Sequence, residues 1–155
     1  MPAITITVHD EEVTRLFKRL LNFTSDLRPV MKNIGEIVLN RVQTCFEEER
    51  SPEGEAWAPL KPSTIQQRIR SGYGGEHPIL WREGWLGGHF TYDAYQDRVE
   101  VSTNVPYAAI HQFGGRAGRG HRAEIPARPF LGVADEDWDE ILDTLSKEIE
   151  RLAKG

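Results

Sequence analysis

The residues with most chemical potential lie in the run Gly114-Gly115-Arg116-Ala117-Gly118-Arg119-Gly120-His121-Arg122. Glycine backbone N–H groups and guanidinium forks together bind phosphate, so the run invites a nucleotide-loop reading. Such a loop needs a buried strand ahead of it and a helix behind it, with Lys-Ser/Thr in the P-loop version. Here the prolyl segment Ile125-Pro126-Ala127-Arg128-Pro129 follows, and that context argues against nucleotide binding. The glycines instead confer high backbone entropy and predict a loop that is mobile in the free subunit. Arg116, Arg119, Arg122 and, beyond the loop, Arg128 are then expected to act on assembly, against acidic groups of a neighbouring subunit. DNA phosphates are the alternative contact.

Other reactive residue types carry weaker signals. No two of His9, His77, His89, His111 and His121 stand four apart on a helical face, so no metal site is expected. His111, inside Ala109-Ile110-His111-Gln112-Phe113, reads as a packed or hydrogen-bonded residue. Cys45 falls on an apolar stripe and reads as a buried, inert thiol, and a single cysteine excludes an internal disulfide. The acidic run Asp135-Glu136-Asp137-Trp138-Asp139-Glu140 suits a helix N-terminus, where carboxylates complement the dipole, better than a catalytic pair. Trp57, Trp81 and Trp85 lie in loop-like sequence. They either lock an extended connector onto the core or form an interface, where tryptophan is enriched.

The elements that must position these residues belong to a chain of 155 residues, enough for one domain with one core. Its formal charge of −5 argues against a dedicated nucleic-acid binder. That charge is uneven: residues 1–60 carry 7 basic and 10 acidic side chains, residues 61–128 carry 9 and 6, and residues 129–155 carry 3 and 8. A basic middle therefore lies between acidic ends. No apolar run approaches the ~18 residues of a membrane span. No secretory signal is recognisable at the start of the chain, and a reducing compartment fits the cysteine usage.

Ile4-Thr5-Ile6-Thr7-Val8 alternates as a half-buried strand. Asp10 offers a cap for a helix with Val13, Leu16, Phe17, Leu20 and Leu21 on its inner face. A longer helix follows from about Leu27 to Phe46, with Pro29 in its first turn. The two helices are expected to form an antiparallel pair over one face of a sheet. Ser51 to Pro62 reads as an extended connector, and Ser63 or Thr64 as the cap of a short polar helix reaching about Arg70. Phe90-Tyr92-Ala94 and Val99-Val101-Thr103 form a hairpin around Gln96-Asp97-Arg98. A short helix over Pro106–Phe113, an extended edge segment over Ile125–Leu131 and a final helix capped by Asp135 complete the chain. The predicted class is α+β, with a small antiparallel sheet, two N-terminal helices, a C-terminal helix and long Pro/Gly-rich arms.

Two of these segments carry a resemblance. Thr103-Asn104-Val105-Pro106-Tyr107-Ala108-Ala109-Ile110-His111-Gln112-Phe113-Gly114-Gly115, followed by Ile125-Pro126-Ala127-Arg128-Pro129-Phe130-Leu131-Gly132, resembles the phage virion morphogenesis family. Pro52-Glu53-Gly54 leading to Trp57-Ala58-Pro59-Leu60, and Ile79-Leu80 followed by Gly84-Trp85-Leu86, add to it. Glu83 departs from the family pattern, which usually has Thr there. The resemblance implies a non-enzymatic, cofactor-free protein with a tail-terminator-like α+β fold, which completes the phage tail or joins it to the head. It implies a ring-type homo-oligomer, hexamers included, whose partners are tail-tube and head-connector proteins. It also implies residence in the bacterial host cytoplasm during assembly and then in the virion tail or neck. The competing readings are a DNA-binding accessory protein of the neck or packaging machinery, using the basic loop, and a small hydrolase, for which the sequence supplies no motif.

Overall fold

The computed structural model describes residues 10–80 and 86–155. Helix α1 (Glu11–Leu20) starts where the side chain of Asp10 accepts the Val13 N–H at 2.9 Å. Glu11 and Glu12 fill its first turn and Lys18 and Arg19 its last, each sign matched to the helix dipole. Helix α2 (Arg28–Glu48) begins with Pro29, whose missing N–H costs nothing in a first turn, and ends at Glu49 in the left-handed conformation. Helix α3 (Pro62–Arg70) opens on Pro62 itself. Ser63 and Thr64 therefore lie inside α3, and the expected hydroxyl cap gives way to a proline start.

Strands β1 (Phe90–Ala94) and β2 (Val99–Thr103) form the expected hairpin, with Phe90 opposite Thr103 and Ala94 opposite Val99. Short helix α4 (Ala108–Phe113) follows, and then β3 (Gly115–Ala117) and β4 (Ala123–Ile125) pair antiparallel across a tight turn. The sheet expected as one unit is thus two separate two-stranded pieces among the described residues. The strand read in Ile4–Val8 lies outside the described residues. Beyond β4 the prolines at 126 and 129 keep the chain extended but outside any ladder.

Helix α5 (Asp135–Lys154) closes the fold. Its cap is not Asp135, which lies one residue inside the helix. Asp137 reaches back and accepts the Ala134 N–H at 2.8 Å. The same carboxylate holds Arg41 of α2 in a bidentate pair, at 2.8 and 3.0 Å. The acidic run is thus part of a helix start and an interhelical clamp.

The two N-terminal helices do not cover the sheet as a pair. Helix α1 packs chiefly on α5, while among the described residues α2 makes the main helix contact with β1 and β2 and also touches α5. Helix α2 therefore borders two apolar clusters. One joins Leu20, Val30, Ile34 and Ile37 to Ile141, Leu145 and Ile149 of α5. The other joins Val42, Cys45 and Phe46 to Trp57, Phe90, Ala108 and Phe130. Phe46 lies 5.2 Å from Phe130 and 5.4 Å from Trp57 between ring centres, the spacing of stacked and edge contacts. Gly35 lets α2 approach the hairpin, because a Cβ there would stand 2.5 Å from the Tyr92 ring. The Tyr92 hydroxyl donates to Glu36 at 2.8 Å and fixes the contact.

Candidate assembly surface

The two sequence segments that flank the Arg/Gly run are bound to each other through Gln112. Its buried amide donates to the Leu131 carbonyl at 3.1 Å, and its oxygen accepts the Phe130 and Leu131 N–H groups at 3.1 and 3.0 Å. A side chain thereby does for residues 130–131 what a neighbouring strand does elsewhere, and this answers where a segment outside any ladder finds its hydrogen bonds. At the preceding residue, the His111 carbonyl accepts the Arg128 N–H at 2.7 Å. Nothing in the sequence reading singled out Gln112. The available signal was an amide in an apolar stretch, which must find partners once buried.

Arg128 differs from the loop arginines with which the sequence groups it. It is 5% exposed and its guanidinium donates to the carbonyls of Ala58 and Pro59 at 2.7 and 3.0 Å. It is an internal strut between the C-terminal segment and the connector, with burial lowering its pKa. Trp57 has a matching role: buried at 6% exposure, it donates from its indole to the Pro129 carbonyl at 2.7 Å. Of the two readings for Trp57, the connector lock is the one the geometry carries. Trp81 and Trp85 lie outside the described residues.

Fixed at both ends, the Arg/Gly segment projects as a β3–β4 hairpin. The mobile loop expected from its glycines is replaced by three paired positions and a tip where Gly118, Gly120 and His121 take positive φ. At its root Gly114 has φ 71°, and a Cβ there would meet the Ala127 nitrogen at 2.8 Å. Arg116, Arg119 and Arg122 are all exposed. Arg116 stands opposite Glu124 in register. Among the described residues none of the three arginines forms an ion pair. Phe113, 61% exposed, and Tyr107, 41% exposed, flank the root of the hairpin.

Beside this hairpin a cleft of about 920 Å³ runs between α3 and β4, with an apolar floor that includes Leu60, Ile79, Leu86 and Ile125. His111 lines it, and its Nδ1 is buried without a hydrogen-bond partner among the described residues. Burial, and after it the charge of Arg128, holds the imidazole below the ordinary histidine range. Burial also pushes the Cys45 thiol up to about 12, away from the thiolate form in which cysteine reacts. Glu49, which the sequence reading passed over, anchors the cleft's far wall by accepting the Ile79 N–H at 2.8 Å and meeting His77 Nδ1 at 2.6 Å.

What this arrangement offers is an exposed, arginine-tipped hairpin tied at its base to a small α+β body. The chain belongs to the phage virion morphogenesis family, whose model matches residues 8–150. It is 35% identical over 144 residues to the Mu-like prophage FluMu G protein 2 of Haemophilus influenzae, covering 93% of this chain and 94% of that protein. It is 30% identical over 124 residues to the putative capsid assembly protein G of Escherichia phage Mu, covering 79% of each. The FluMu G protein 1 of Haemophilus influenzae is 24% identical over 142 residues, 92% of each chain. No solved structure matches the chain.

Proposed function

We propose that this chain is a structural virion protein that completes the phage tail and joins it to the head, working as a ring. The observation that carries the reading is the match to the virion morphogenesis family across residues 8–150. The surface is in keeping with it. Buried Gln112, Arg128 and Asp137 act as internal struts, while Arg116, Arg119, Arg122, Tyr107 and Phe113 are exposed. Such a protein acts by surface complementarity and needs no turnover or cofactor. No described helix is long and apolar enough to cross a membrane. The proposed course is assembly in the host cytoplasm and retention at the tail end or neck of the finished particle, in contact with tail-tube and head-connector proteins.

Electron microscopy of a phage lysate lacking this gene tests the reading. Full heads beside separate, normal-length tails are expected, and the intact gene supplied in trans restores joined particles. Infectious particles assembled without the gene would refute it.

A further inference from the structure

The arginine hairpin has a complementary surface on its own chain. Where α2 ends, the 51–54 turn and the start of α5 enclose a groove of about 280 Å³ that gathers Glu48, Glu53, Asp135 and Glu136. The two arginines that also line it are engaged. Arg41 is held by Asp137 and Glu136, and Arg50 donates to the Gly54 carbonyl at 3.0 Å. Glu48, Glu53 and Asp135 are exposed, and none forms an ion pair among the described residues. Arg50 keeps its charge, since a carbonyl does not neutralise a guanidinium, so the lining sets four carboxylates against two guanidinium groups and stays net negative, and Val133 adds an apolar wall.

The hairpin shows the opposite balance, three exposed arginines against the single Glu124. Its setting also discriminates between partners. Contacts to duplex phosphates draw on charge, whereas arginine grouped with exposed Phe113 and Tyr107 matches the composition of protein interfaces. We propose that the β3–β4 hairpin of one copy seats its arginines in the Glu48–Glu53–Asp135 groove of the next copy, with Phe113 packed at the margin of the joint. The two surfaces differ, so the interface is heterologous: each copy offers a hairpin on one side and a groove on the other. Repetition of that contact closes into a ring or, if the rotation does not close, runs on as a filament. The inference rests on the ring reading above and states which surfaces form the joint.

A charge swap tests it by light-scattering mass on the purified full chain. The wild-type chain should form oligomers whose mass falls as salt is raised, since exposed charges are screened within about 8 Å at physiological ionic strength. R116E/R119E/R122E and E48K/E53K/D135K should each be monomeric with the circular dichroism spectrum of the wild-type chain, and an equimolar mixture of the two should regain the wild-type mass. Phe113→Ser should weaken assembly roughly tenfold or more, the usual consequence of losing an interface anchor. If a charge reversal unfolds the chain, the matching serine substitutions take its place. A monomeric wild-type chain, a reversed variant that keeps the wild-type mass, or a mixture that stays monomeric would overturn the joint. So would an arginine variant that loses binding to a short DNA duplex while its mass is unchanged. A failed swap combined with separate heads and tails in the gene-deleted lysate would remove this joint and leave the tail-completing role standing.

Discussion

At Gln112 one amide makes three hydrogen bonds to the backbone of residues 130 and 131, and no isosteric apolar residue can replace them. Gln112→Leu should cost about 2–4 kcal/mol, because it orphans buried backbone donors and an acceptor at once. Urea unfolding monitored by circular dichroism measures this, and a loss below about 1 kcal/mol would contradict the role assigned to the amide. His111 makes a prediction about pH. Its imidazole lies below the ordinary value in the folded chain because it is buried near Arg128, so the unfolded chain takes up the proton first as the pH falls. The contribution of neutral His111 is complete above about pH 6.5 and is lost progressively below it. Melting temperature should therefore fall less steeply between about pH 7 and about pH 5 in His111→Gln than in the wild-type chain. Parallel curves would remove His111 from the acid response. Residues of this kind were only partly legible in the sequence. The inert Cys45 and the packed His111 were readable from their apolar neighbours. The partners of Gln112 and Arg128 were not, since folding brings them from 18 to 70 residues away.

Elements with a strong period were legible: α1, α2, α5 and the Phe90–Thr103 hairpin follow directly from apolar spacing and turn residues. What spacing could not give is which element each apolar face meets. Helix α1 shows an inner stripe, but the stripe does not say that its main partner is α5. Glycine content alone predicts a mobile loop at the β3–β4 hairpin, because it reports entropy in the unfolded chain. It says nothing of the anchors, Gln112 at one end and Arg128 at the other, that offset that entropy. Arg41 sets another limit, since only the packed helices show that it clamps Asp137 and so ties α2 to α5. Arg41→Met should cost about 3 kcal/mol, because it leaves the Asp137 carboxylate buried beside Ala134 without its countercharge. Thermal unfolding of the variant provides the check, and a melting temperature equal to the wild type would show that the clamp contributes nothing.

For the whole molecule, the uneven charge visible in the sequence takes a definite form. The acidic C-terminal segment contributes to the groove at the start of α5, and the basic middle becomes the outward hairpin. Internal struts hold these two surfaces on one body. The proposed joint gives both surfaces a use, in a chain that belongs to the phage virion morphogenesis family. The central claim is that this protein is a structural part of the particle at the end of the tail that meets the head. Gold-labelled antibody raised against the chain, applied to purified phage particles and to tails from lysates blocked in head assembly, tests this most directly. The account predicts label at the head-proximal end of every completed tail and at the neck of joined particles; particles and tails free of label, or label spread along the tail or over the capsid shell, would contradict it.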